Sequence, residues 1–114
     1  MDNITRHSLL IDFYGSLLTD KQKEIYDLYY QQDLSLGEIA EQKNVSRQAV
    51  FDLLKRTEET LDSYEHKLGL VGKYARNHEI IGIIRNKLQL SAQECPALDL
   101  SEIMELLQIL EDNW

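Results

Sequence analysis

Apolar residues recur along this chain at steps of three and four, and no stretch alternates in the period-two pattern of a strand, so the fold class is all-α. Ile4, Leu9, Leu10, Phe13 and Tyr14, with Leu17 and Leu18 beyond, keep mostly to one face of a lead helix over 4–14. Gly15 and Ser16 are the expected stop, glycine being the residue that best accepts a left-handed cap. Thr19 and Gln22 then form a capping box, in which hydroxyl and side-chain amide each satisfy the other residue's backbone N–H. The helix behind it carries Ile25, Leu28 and Tyr29 inward, leaves Tyr26 and Tyr30 partly off that face, and runs to about Gln31.

A second capping box, Ser35 with Glu38, opens a short helix that Asn44 and Val45 break, and Ser46 is placed to cap the next. Leu36, Ile39, Ala40, Val45, Ala49, Val50 and Leu53 fall where two steeply crossing helices need inward side chains. Ala40 suits a close approach of backbones, and Asn44 tolerates the left-handed turn. Residues 18–55 therefore read as a helix-turn-helix.

The third helix of that motif continues. Val50, Leu54, Thr57, Leu61, Tyr64, Leu68, Val71 and Ala75 alternate steps of four and three, a heptad seam. An arm from Ser46 to about Leu90 follows, in one or two pieces, with a kink expected near Gly69 to Gly72 because glycine inside a helix costs about 1 kcal/mol relative to Ala. Tyr74, Ile81, Ile84 and Leu88 extend the apolar stripe. Ser91 to Leu98, with the one proline, reads as the connector, and Asp99 with Glu102 as the cap of a last helix that places Leu100, Ile103, Leu106, Leu107 and Leu110 on one side. That amphipathic helix packs either on the arm of its own chain or across a dimer. The seam and the unpaired ending together predict a homodimer.

With 114 residues and no flexible linker the chain is expected to be one domain, a helix-turn-helix part over 1–66 and a helical arm with its last helix over 67–114. No basic-then-apolar start resembles a signal peptide and no apolar run is long enough to cross a bilayer, so the cytosol is the expected compartment. A net charge of −8 conflicts with duplex binding, which requires phosphates to be neutralised.

The exposed face of the third helix holds the candidate chemistry: Ser46, Arg47, Gln48, Phe51, Asp52, Lys55 and Arg56. Arg47 and Gln48 are suited to guanine and adenine edges, and Ser46, Lys55 and Arg56 to phosphates. Phe51 and Asp52 occupy the middle of that face, and Glu58, Glu59, Asp62 and Glu65 follow, all of which argue against DNA. Lys67, Lys73, Arg76, Arg85 and Lys87 make the arm locally basic, either as a patch for RNA or an acidic protein surface or, more simply, as a solvated helix face. His7, His66, His78 and Cys95 show no metal-ligand or nucleophile pattern, and no glycine-rich phosphate loop is present. Neither catalysis nor a cofactor or metal is expected.

The segment LTDKQKEIYDLYYQQDLSLGEIAEQKNVSRQAVFDLLKR resembles the helix-turn-helix of sigma-factor region 4, with its EIA stretch, turn and VSRxAV stretch. Sigma motifs favour basic or amide side chains where this chain has Phe51 and Asp52. From IDFYGSLLT through SYEHKLGL to the acidic end, the chain is similar to the YlxM family of small bacterial proteins. That resemblance implies an all-helical cytoplasmic regulator whose gene usually accompanies those of the signal recognition particle GTPases. The expected function is a non-enzymatic adaptor or regulator that binds those GTPases or the particle's RNA, with a DNA-binding transcriptional regulator as the competing reading. Phe51, beside Arg47 and Lys55, has the character of an anchor for a protein partner.

Overall fold

Ser35 starts the short helix as its spacing to Glu38 requires: its hydroxyl accepts from the Glu38 N–H at 3.1 Å, and the Glu38 carboxylate accepts from the Ser35 N–H at 3.2 Å. The computed structural model describes residues 2–95 and 100–112, and within them the order is α1 (Asn3–Tyr14), a 3-10 turn (Gly15–Leu17), α2 (Asp20–Tyr30), α3 (Leu36–Lys43), α4 (Arg47–Leu68), α5 (Leu70–Glu94) and α6 (Ser101–Asp112). No strand occurs among the described residues. The chain divides into two compact units, residues 1–71 and 72–114.

In the first unit α4 is the spine on which α1, α2 and α3 pack. Leu10, Tyr14, Ile25, Tyr26, Ile39, Val50, Leu54 and Leu61 form its core. Fully burying an aliphatic side chain contributes about 1.5–3 kcal/mol, so the upper half of the heptad seam is used inside the chain. Val50, Leu54, Thr57 and Leu61 are all buried on α4. The Thr57 hydroxyl is satisfied by donating to the Leu53 carbonyl at 2.7 Å. Tyr26 corrects the sequence reading, since it is wholly buried rather than off the core face.

The ends of the helices follow local chemistry, with two departures. Asn44 turns left-handed at φ 55°, and the Val45 N–H reaches back to the Ala40 carbonyl at 3.0 Å, so the turn closes as the sequence implies. Gly15 does not: its φ is −58°, and the chain tightens into the 3-10 turn instead of leaving the helix through a left-handed residue. Leu17, in the 3-10 turn, is exposed while Leu18 after it is buried, and Ile4 at the start of α1 is exposed.

Gly69, at φ 65°, ends α4, and α5 begins at the next residue, so the arm is two helices separated by a left-handed break. Gly72 and Gly82 lie within α5 without interrupting it. The seam is lost at Leu68, which is exposed because the break follows it, and resumes at the buried Val71. Helix α5 also runs to Glu94, four residues into the expected connector. Pro96 and Asp99, and with them the expected turn and cap, lie outside the described residues.

In the second unit α6 returns onto α5 of the same chain. Ile81 and Leu107 are its buried residues, the Arg85 guanidinium pairs with Glu111, and the second carboxylate oxygen of Glu111 lies 4.0 Å from His78 Nδ1. The last helix therefore has a partner in cis. Ile103, Leu106 and Leu110, expected on its packed side with Leu107, remain exposed, because a single neighbouring helix covers only a narrow stripe of an amphipathic helix.

Candidate recognition face

Ser46 is committed to structure: its hydroxyl accepts from the Ala49 N–H at 3.0 Å and starts α4. The six residues named after it are all exposed, as their positions on the helix require. They form two ridges. Arg47, Phe51 and Lys55 follow one another at steps of four, as do Gln48, Asp52 and Arg56.

The first ridge borders apolar surface. Phe51, 46% exposed, shares with Tyr29, Leu36 and Leu54 a concavity of about 310 Å³ whose rim is Lys55 and Glu58. Arg47, Gln48 and Phe51 together line a shallower hollow over Leu36. The second ridge is internally paired, with the Gln48 side-chain amide donating to Asp52 Oδ1 at 3.0 Å. An amide held this way is not free to read an adenine edge unless that bond is exchanged.

Beyond the second ridge, between α2 and α4, lies a cleft of about 500 Å³ floored by Ile25, Val45, Ala49, Val50 and Leu53 and edged by Lys21, Glu24, Lys43, Asp52 and Arg56. Val45 and Ala49 were expected inside the motif and are exposed here. The left-handed turn carries Val45 to the lip of the cleft, and Ala49 sits three residues past the cap with no helix over it. Lys43 pairs with Glu24 across the opening. Helical periodicity assigns a residue to a side of its own helix, so it cannot tell a covered position from one beside an open cleft.

A third feature lies where α1 meets α2 and α4. The His7 ring stacks on Tyr30 with centroids 4.0 Å apart, its Nδ1 meets the Tyr26 hydroxyl, and the Tyr30 hydroxyl donates to Glu58. Arg6 reaches Asp62 at 3.3 Å on the rim. Burial, with the charge of Glu58 partly opposing it, lowers the His7 pKa, and burial with Glu58 nearby raises both phenols far above their ordinary range. Phenols held protonated in this way act as hydrogen-bonding groups, and the cluster is a polar clasp within the core. Sequence spacing gave no sign of it, because its members come from three helices.

The remaining candidates are not assembled into a site. His66 and Cys95 are exposed, His78 faces Glu111, and Arg85 is engaged by the same carboxylate, which removes it from the basic face of the arm. No helix among the described residues is long and apolar enough to cross a membrane.

Residues 1–103 match the profile of UPF0122, described as "Putative helix-turn-helix protein, YlxM / p13 like". The chain belongs to this family. A UPF0122 protein of Desulforamulus reducens is 53% identical over 88 residues, covering 77% of this chain and 75% of its own. UPF0122 proteins of Halalkalibacterium halodurans and Bacillus mycoides are 44% and 43% identical over 111 residues, 97% of this chain in each case and 96% and 99% of theirs. The UPF0122 similarity thus spans the helix-turn-helix and the two helices after it.

Proposed function

We propose that this UPF0122 protein is a non-enzymatic regulator that docks through the Phe51 ridge of its helix-turn-helix onto a GTPase of the signal recognition particle pathway. The Phe51 surface carries the reading: an exposed aromatic ring flanked by Arg47 and Lys55, opening onto Tyr29 and Leu36, with Asp52 and Glu58 beside it. Aromatic and arginine side chains around an apolar hollow are the usual anchors of a protein interface, whereas carboxylates at the centre of a reading helix repel phosphates. The choice of pathway rests on the resemblance to YlxM proteins. Calorimetric titration of the chain against the purified GTPases tests it: saturable binding that Phe51→Ala abolishes is expected, and no binding to either GTPase overturns it. Binding to the particle's RNA alone would move the partner from protein to nucleic acid.

The second reading is DNA binding, favoured by the open positions of Arg47, Lys55 and Arg56 on an intact, well-capped motif. Gel shifts at low salt distinguish it. A preferred site with a steep salt dependence requires phosphate contacts, which the GTPase reading does not.

A further inference from the structure

The unit over 72–114 carries more apolar side chain than it covers. Two helices of this length are too few to enclose a core. On α5, Ile80, Ile83, Ile84 and Leu90 are between 41% and 51% exposed, and on α6, Ile103, Leu106, Ile109 and Leu110 are between 44% and 57% exposed. Ile80 and Leu110 line a common hollow of about 220 Å³ with Asn77 and Ile81, so the two stripes meet in one face. Eight large aliphatic side chains, each about half exposed, make a contiguous apolar face of the kind that marks an interaction site.

Charge identifies the occupant. Helical spacing puts Lys73, Arg76 and Lys87 seven residues from Ile80, Ile83 and Ile80 respectively, on the same side of α5. Helix α6 carries Glu102, Glu105, Glu111 and Asp112 and neither Lys nor Arg. Glu102 is four residues from Leu106 and seven from Ile109, on the open side of α6. Glu111 is already paired with Arg85, and Glu79, four residues from Ile83, is a carboxylate among these α5 positions, so the face carries a basic excess along α5 and only acidic groups along α6.

We propose that this face binds a second copy of the chain about a twofold axis, α6 of each copy lying on α5 of the other to complete a four-helix bundle. A twofold interface uses one patch twice, and a patch with a basic half and an acidic half complements itself when turned through 180°. A partner of uniform charge would meet repulsion over half of it. The proposed interface is built from α5 and α6 and includes none of the recognition residues of α4, so the two proposals are tested by different substitutions.

Sedimentation equilibrium on the full chain over about 1–100 µM, a span centred on ordinary homodimer affinities, tests the proposal. A species of twice the 13.3 kDa chain mass is expected. Ile83→Asp and Leu106→Asp should each weaken it at least tenfold, with helicity followed by circular dichroism. Because those changes could also unfold the unit, charge reversal provides a second measure. Reversing Lys73 and Arg76 to Glu, or Glu102 and Glu105 to Lys, should weaken the dimer, and both reversals in one chain should restore it. A wild-type monomer throughout the range overturns the proposal. So does a dimer indifferent to the reversals, which would place the contact elsewhere or pair like helix with like.

Discussion

The Tyr14 hydroxyl donates to Glu65 Oε1 at 2.6 Å, joining residues 51 positions apart at the point where α4 gives way to α5. The same two groups cap the new helix: Tyr14 accepts from the Leu70 N–H at 3.1 Å and Glu65 from the Val71 N–H at 3.0 Å. A helix start exposes unpaired N–H groups with partial positive charge, and a carboxylate there is favourable on both counts. Burial and the bond to Glu65 raise the Tyr14 pKa, so the phenol stays a donor.

Tyr14→Phe keeps the buried ring and removes both bonds. A hydrogen bond to a charged group contributes about 1.5–3 kcal/mol, and a loss of that size is expected in urea unfolding. Tyr14→Phe combined with Glu65→Gln should cost less than the sum of the two single changes, because they share one network.

Gly69 sits at φ 65° with no neighbouring atom within 4 Å of where a Cβ would be. Gly69→Ala therefore meets no clash, and its cost is conformational, about 1 kcal/mol or slightly more. Gly69→Asn should recover much of it, since Asn accepts the left-handed region as Asn44 does in this chain. Thermal unfolding of the pair measures the difference.

His7 gives stability a pH dependence of defined sign. Its pKa in the folded chain lies below the ordinary 6.5, mainly through burial, against the opposing pull of Glu58 and Asp62 and with the support of Arg6. Well above pH 6.5 the imidazole is neutral in both states and contributes nothing. Below it the unfolded chain takes up the proton first, so stability falls with pH until the folded imidazole also titrates. His7→Phe should flatten the stability profile in the window just below pH 6.5 relative to wild type, leaving the carboxylate-driven loss at lower pH.

Phe51→Ala should leave unfolding free energy within about 0.5 kcal/mol of wild type, as for most surface substitutions, because nearly half of the ring already faces solvent. Loss of partner binding with stability unchanged would identify Phe51 as an anchor. A loss of 2 kcal/mol or more, the range of a buried aliphatic core truncation, would instead make it a core residue.

The helix-turn-helix was legible because every device that makes it is local. The capping boxes at Thr19 and Ser35, the Ser46 cap and the Asn44 turn each depend on residues three to five apart, and each is present. The candidate recognition residues were equally legible, since exposure on one side of a single helix follows from the period of that helix. Glycine illustrates where this stops: Gly15 was expected to end a helix and Gly69 to kink one, yet only Gly69 takes the left-handed turn that ends a helix.

Contacts between helices decided the rest. Tyr26 is buried, and Tyr14 links α1 to the start of α5, because packing brings distant polar groups to them. Val45 and Ala49 face an open cleft, and α6 finds a partial partner in its own chain through Arg85 and Glu111. A periodic pattern records which side of a helix is apolar. What that side meets depends on where the other helices lie, and in this protein that distinguishes the covered half of the heptad seam from the apolar face still open on α5 and α6.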